Sequence, residues 1–389
     1  MSRSEEFDFR SSFSSANTRN GFFDQLFSQS DLRWMGQNTT HVPTHPVVRA
    51  AITKSLSSEE FHAYSPPMGF EELRRAIVSD LGVENMEALL TEGGVNGLFL
   101  ICRARCMPGT RFVTTDPGWQ WPAQFAQQLG SELVEIPIYD PATNYKLTPQ
   151  ALRDAVDERT SVVYIVDPNN PLGISYTADE IGQFAEIARS VGALLIHDCT
   201  YRDFATEHTP AISIAAENAV VVLSFSKWLG LAGLRLGALV ASPRLIGEFN
   251  AVATAVLGPS VFAQRMAQAG LSVKAEWMAS LKEIDRANKR KIVNAASGIP
   301  GFETPIPRSN GNFLIVEVVK SGIAPEALAA AARQKRFMIR PGRYHTERFG
   351  DRFIKISTSV PPEWIDQFCE LLPSIVKAAS EISSSQNAF

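Results

Sequence analysis

From about Ala50 onward the chain alternates two patterns. Short runs are apolar throughout, and longer stretches repeat their apolar residues every three or four positions. "RFVTTD", "ELVEIPI", "SVVYIVD", "ALLIHD", "AVVVLSFS" and "LGALVA" have the length and β-branched content of strands. "GFEELRRAIVSDLG" sets Phe70, Leu73, Ile77 and Leu81 on one helical face. "TADEIGQFAEIARSVG" carries its own boundaries, with Thr177 as N-cap, Glu180 closing a capping box and Gly192 as the stop. Strands this apolar cannot leave one face in water. The alternation therefore predicts an α/β fold with a mainly parallel central sheet covered by helices on both sides.

Near Gly258 the pattern changes. A long helical region over about 261–296 leads to "GNFLIVEV", "FMIRPG" and "RFIKISTS", which read as strands. "PEALAAAARQ" and "PPEWIDQFCELLPSIVKAA" read as helices. These predict a smaller α+β C-terminal domain. The expected division is an N-terminal arm over 1–48 that partly joins the small domain, a large domain over 49–285, and a small domain over 286–389. The arm is Ser-rich and turns aromatic at "GFFDQLF", where Phe22, Phe23 and Phe27 offer a docking face.

Composition narrows the function classes. The chain has 389 residues, 45% hydrophobic and 20% charged, with a net charge of −4, so its core needs no disulfide staples. That balance, with no dense basic block, gives no case for nucleic acid. Cys102, Cys106, Cys199 and Cys369 are too scattered for a disulfide framework. Cys102 and Cys106 share a helical face, but no second pair completes a metal site. The first twenty residues lack an apolar signal region, and no run reaches about 18 apolar residues, so the expectation is a cytoplasmic protein without a membrane segment.

Ligands of an open α/β sheet bind at the carboxyl ends of its strands. Three successive predicted strand ends carry polar groups. Asp167, Asn169 and Asn170 follow "SVVYIV"; Asp198 and Tyr201 follow "ALLIH"; Ser224, Ser226 and Lys227 follow "AVVVLSF". Lys227 and Arg235 are the only basic residues between Val220 and Ser242, an unusual setting for a strongly hydrated amine. The loop "TEGGVNGLF" opens a helix, and a glycine-rich entry to a helix is a natural anion cradle. Together with Arg235 and the two serines it suggests one phosphate held from several sides. Taken singly, each residue has a plainer reading: a surface lysine, a turn at "DPNNP", a capping Asp198, a core Trp119. The joint pattern carries the argument.

Four segments, in order, resemble the class I/II aminotransferases, pyridoxal-phosphate enzymes of fold type I, and the resemblance spans nearly the whole chain. They are "AYSPPMGFEELRRAI", "DPNNPLG", "HDCTYRDF" and "SFSKWLGLAGLRLG". The resemblance implies that Lys227 forms an imine with the cofactor aldehyde and later serves as the proton-transfer base. It implies that Asp198 pairs with the pyridine nitrogen, and that Tyr201 and Asn170 hydrogen-bond the ring oxygen. Trp119 would stack on the ring. Gly94 and Val95 through their backbone N–H groups, with Ser224, Ser226 and Arg235, would bind the phosphate. Tyr64 would reach the phosphate from a neighbouring subunit, so a homodimer is implied. The implied reaction moves an amino group between an amino acid and a 2-oxo acid by a ping-pong mechanism.

One departure bears on substrate. Where relatives carry the arginine that grips the substrate carboxylate, "RFIKISTS" has Lys355. An ammonium is not a planar fork. Three readings stand: Lys355 binds a carboxylate with one bond, Arg340 or Arg343 in "MIRPGRYH" takes over, or the group bound there is not an ordinary amino-acid carboxylate. Asn170 is a further candidate contact. His41 and His45 in "MGQNTTHVPTHP" are either substrate contacts or solvated loop residues, and Trp121 lines either pocket or core. The lost arginine also keeps open another pyridoxal-phosphate reaction, of lyase, decarboxylase or oxidase type.

Overall fold

The computed structural model describes residues 16–253 and 256–386; residues 1–15 of the expected arm lie outside them. Among the described residues the strands are β1 (Arg33–Trp34), β2 (Glu87–Thr91), β3 (Arg111–Asp116), β4 (Glu132–Pro137), β5 (Thr160–Val166), β6 (Leu194–Asp198), β7 (Ala219–Ser224), β8 (Gly237–Ala241), β9 (Phe313–Glu317), β10 (Phe337–Met338), β11 (Arg340–Pro341) and β12 (Phe353–Ser357).

Seven of them form one sheet in the order β2-β8-β7-β6-β5-β3-β4. Strands β7, β6, β5, β3 and β4 run parallel, as the apolar runs predict, while β8 is antiparallel to both β2 and β7. "LGALVA" is as apolar as its neighbours because it too is covered on both faces, so its direction could not be read from its composition. Alternate residues serve two cores. Val162, Tyr164 and Val166 of β5 face a layer with Leu98, Ile101, Ala126 and Phe249. Val163 and Ile165 face the other, with Leu73, Ile77, Ile181 and Phe184. The helix Ala178–Ser190 starts on the expected capping box, and Gly192 follows it at φ 75°, a left-handed value that glycine adopts without strain.

The predicted long helix is two, Val261–Ser272 and Lys274–Ser297. The second crosses to an antiparallel sheet of order β11-β12-β9, whose core includes Ile292, Leu314, Val316, Leu328, Ile354 and Ile356. β1 pairs in parallel with β10 in a separate two-stranded sheet, and Phe337 of β10 packs in the same core, which ties the segment after the arm's helix Ala16–Phe27 to this second module. Phe22 and Phe23 pack with Leu26, Leu32, Trp34 and Met338, whereas Phe27 is exposed.

A buried polar knot anchors the crossing helix. Lys289 Nζ donates to Asp285 Oδ2 (2.6 Å) and to the Ser309 and Gly311 carbonyls (2.8 and 2.5 Å), and Thr358 donates to Asp285 Oδ1 (2.5 Å). Removing one partner of a buried pair leaves the other charge uncompensated. Lys289→Met should therefore cost about 3–5 kcal/mol of stability, read as a lower denaturant midpoint. A midpoint within about 0.5 kcal/mol of wild type, the range of neutral surface changes, would show the knot to be unimportant.

Candidate active site

The parallel register brings three strand ends level, with Val166 opposite Asp198 and Asp198 opposite Val222. Beyond those ends lies a cavity of about 260 Å³. Gly94, Val95, Trp119, Asn170, Asp198, Tyr201, Ser224, Ser226, Lys227, Arg235, Arg340 and Lys355 all border it, so one space gathers these twelve sequence candidates. Tyr64 and Arg343 are not among them. Tyr64 is 85% exposed. Arg343 Nε lies 3.3 Å from Glu326 with its side chain 57% exposed, because the short turn Gly342–Tyr344 aims it outward.

Lys227 follows β7, and its Nζ donates to the Gln37 carbonyl at 3.0 Å. Burial, helped by the nearby Arg235 charge and opposed by Asp198, lowers its amine from 10.5 to about 8. Asp198 ends β6 and accepts from the Thr200 N–H (3.1 Å) and the Tyr164 hydroxyl (2.9 Å). Burial raises its carboxyl above the ordinary carboxylate value, while these hydrogen bonds pull the other way. Tyr164 reaches Asp198 because both point to the same sheet face from adjacent strands, β5 and β6. That role was missed in "SVVYIVD", where an apolar run made the tyrosine look like core.

The loop before the helix Gly94–Arg105 closes against Arg235. A Cβ on Gly93, at φ 85°, would lie 2.5 Å from the Arg235 guanidinium, and a Cβ on Gly237 would lie 2.3 Å from the Gly94 nitrogen. Only glycine lets the helix N-terminus, the guanidinium and Ser224 approach one spot, so the site is a cradle for a compact anion.

On the opposite wall Arg340 of β11 is the register partner of Lys355 of β12. Both are buried, and Arg340 lies over the Tyr344 ring at 4.3 Å. Burial, with Lys227 and Arg340 nearby, lowers the Lys355 amine well below its ordinary value. Two residues that sequence reasoning missed, Gln37 and Asn38, border the cavity from the loop after β1. Their contacts span more than a hundred positions along the chain, and no local motif announces them.

The remaining candidates have structural places. His45 caps the helix Pro46–Ser57, and His41 bonds Thr39 at 2.9 Å and packs against Trp364. Trp121 opens the helix Trp121–Gln128 and packs against Phe125. His197, Cys199 and His208 hold three metal-type ligand atoms within 4.8 Å. Both His197 nitrogens are engaged, however: Nδ1 accepts from the Ala211 N–H (3.0 Å) and Nε2 bonds Asp167 (3.2 Å). The trio is a packed polar network behind the sheet. Among the described residues no helix is long and apolar enough to cross a membrane.

With this geometry in place, comparison with known proteins decides the family. The pattern described as aminotransferase class I and II matches residues 30–372. This chain belongs to that family. An aspartate aminotransferase of Pyrococcus horikoshii is 25% identical over 88% of this chain and 90% of its own length. A histidinol-phosphate aminotransferase of Stenotrophomonas maltophilia is 30% identical over 67% of this chain and 71% of its own. The solved N-succinyldiaminopimelate aminotransferase of Mycobacterium tuberculosis, 21% identical, has the same fold, with a TM-score of 0.82 over 93% of this chain and all of that one. The chain is a transaminase of the aspartate aminotransferase fold.

The lowered Lys227 amine makes a prediction about stability. The folded chain releases that proton near pH 8 and the unfolded chain near 10.5, so the unfolded state binds more protons between the two and stability rises across that window. Below pH 8 the full penalty applies, at most about 3 kcal/mol and less as cavity water screens the amine. In cofactor-free transaminase, Lys227→Met should raise the unfolding temperature at pH 7, with the gain shrinking toward pH 10.5. An equal or lower unfolding temperature at pH 7 would contradict the burial cost.

Proposed function

We propose that the cavity binds pyridoxal 5'-phosphate and that Lys227 tethers it. The observation that carries this reading is the pairing of a low-pKa amine and a buried carboxylate on one cavity, with an anion cradle beside them. The donor set fits the group. Gly94 and Val95 N–H groups, Ser224, Ser226 and Arg235 would hold the phosphate, Asp198 would pair with the ring nitrogen, Asn170 and Tyr201 would bond the ring oxygen, and Trp119 would stack on the ring. When bound, the cofactor supplies an aldehyde carbon and an electron-withdrawing protonated ring, the chemistry that amino-group transfer requires.

The chain's own part is proton handling and placement. An Nζ with a pKa near 8 releases and retakes a proton close to neutral pH, as a base acting on the substrate carbon must. Thr200 and Tyr164 hold the Asp198 carboxylate as acceptor, which favours a proton on the ring nitrogen facing it. Lys355 and Arg340, adjacent on paired strands, meet the substrate carboxylate as two separate groups in place of one arginine fork, and the arriving negative charge favours the protonated Lys355 amine that burial opposes. Family membership sets transamination between an amino acid and a 2-oxo acid, in ping-pong order, ahead of lyase, decarboxylase or oxidase-type chemistry.

A second copy of this chain completes the site by bringing its Tyr64 to the phosphate. Tyr64 is exposed along with Phe61, Val256 and Leu257. Its loop adjoins the last of these through the bond from Gly258 N to the Ser65 carbonyl, an apolar surface suited to a homodimer. Free cysteines at 102, 106, 199 and 369 suit a reducing compartment, the cytoplasm.

Purified protein mixed with pyridoxal phosphate should gain visible absorption that an amino donor bleaches and a 2-oxo acid restores. Lys227→Ala should abolish that cycle, and a colourless wild type that takes up no cofactor would refute the assignment. Lys355→Ala should raise the substrate KM by about tenfold or more, as for loss of a charge-assisted contact, in protein that still binds the cofactor. An unchanged KM would remove Lys355 from the substrate site.

A further inference from the structure

Asn38 stands in the left-handed region at φ 56° and is buried, in the loop that passes over Lys227. Its hydrogen bonds form a closed account. Its backbone N–H donates to Ser357 Oγ at 2.8 Å, which leaves the single Ser357 proton to go to Asn38 Oδ1 at 3.3 Å. The Asn38 amide is thereby turned so that its NH₂ faces the cavity side. Nδ2 then donates to the Tyr201 oxygen at 3.1 Å and to Asn170 Oδ1 at 3.3 Å. Lys355 Nζ also donates to that Asn170 oxygen, at 3.2 Å.

Both downstream groups have their acceptor side filled from behind. The Tyr201 oxygen accepts a hydrogen bond from Asn38 and has its own O–H left to donate. Asn170 takes two donors on Oδ1, so its Nδ2 is the end left to face the cavity that it borders. Lys355 and Ser357 lie two apart on β12 and act on the same wall, one on Asn170 and the other on Asn38.

We propose that Asn38 is a positioning residue: braced by Ser357, it sets the direction in which Tyr201 and Asn170 present their protons to the cofactor's ring oxygen. This rests on the pyridoxal-phosphate reading above. With two aimed donors the ring oxygen is less basic. Without Asn38 each donor is free to turn, the oxygen keeps more negative charge, and the neighbouring protonated Lys227 nitrogen is favoured. The pH midpoint of the visible absorption then rises.

Two variants test this. Asn38→Gly keeps the left-handed backbone without strain and deletes only the amide. Asn38→Asp keeps size and shape but replaces the donor with an acceptor, which draws the Tyr201 proton away from the cavity. Bound cofactor is first counted after denaturation, and then the visible absorption is titrated with pH. With cofactor bound one per chain, Asn38→Gly should raise the midpoint by about half to one pH unit, the range of one weakened hydrogen bond. Asn38→Asp should raise it further. Midpoints equal to wild type in both variants overturn the proposal while leaving the cofactor reading intact. Absence of cofactor from the wild type removes the reading beneath it. A purely structural Asn38 would lower the unfolding temperature of both variants and leave their midpoints at the wild-type value, and that too overturns the proposal.

Discussion

Lys227 is set where its charge is poorly solvated, and the rest of the site follows from that constraint. A lysine amine in water holds its proton near 10.5 and cannot act as a base at neutral pH. Here β7 ends just before it, the loop after β1 closes over it, and the Arg235 guanidinium adds repulsion, so its proton leaves near pH 8. Burial of this kind destabilises the chain on its own. It persists because β5, β6 and β7 are covered on both faces by two large cores that fix where the strands end.

Charge bookkeeping around the cavity shows how the two sheets divide the work. Lys227, Arg235, Arg340 and Lys355 border it, with Asp198 as the carboxylate among the bordering residues. The helix N-terminus and Arg235 belong to the seven-stranded sheet and suit a phosphate, whereas Arg340 and Lys355 come from the antiparallel sheet and suit a carboxylate. The helix Lys274–Ser297 and its Lys289–Asp285 knot join the two. Asp198 sits at the carboxyl end of β6, between β5 and β7, where its hydrogen bonds with Thr200 and Tyr164 hold it in place.

Much of this was legible in the sequence because it is local. Apolar runs of strand length, the capping box at Thr177 and the polar residues just past "SVVYIV", "ALLIH" and "AVVVLSF" each follow from nearest-neighbour chemistry, and the parallel sheet turns those strand ends into one rim. What the sequence hid is long-range or directional. The reversed β8 has the same composition as its parallel neighbours. Tyr164 looks like core until the register of β5 and β6 carries its hydroxyl to Asp198. Asn38 meets Ser357 across 319 positions, and Arg343 turns away from the cavity although it lies three residues after Arg340. Pattern gives the face of an element, and only packing gives the partner.

The central claim is that one identified amine captures the cofactor. Borohydride reduction of the pyridoxal-phosphate-loaded protein, followed by proteolysis and peptide mass spectrometry, locates the captured amine directly. The account predicts a single phosphopyridoxyl addition on the peptide containing Lys227. Modification of Lys355 or of surface lysines instead, with Lys227 unmodified, would contradict it.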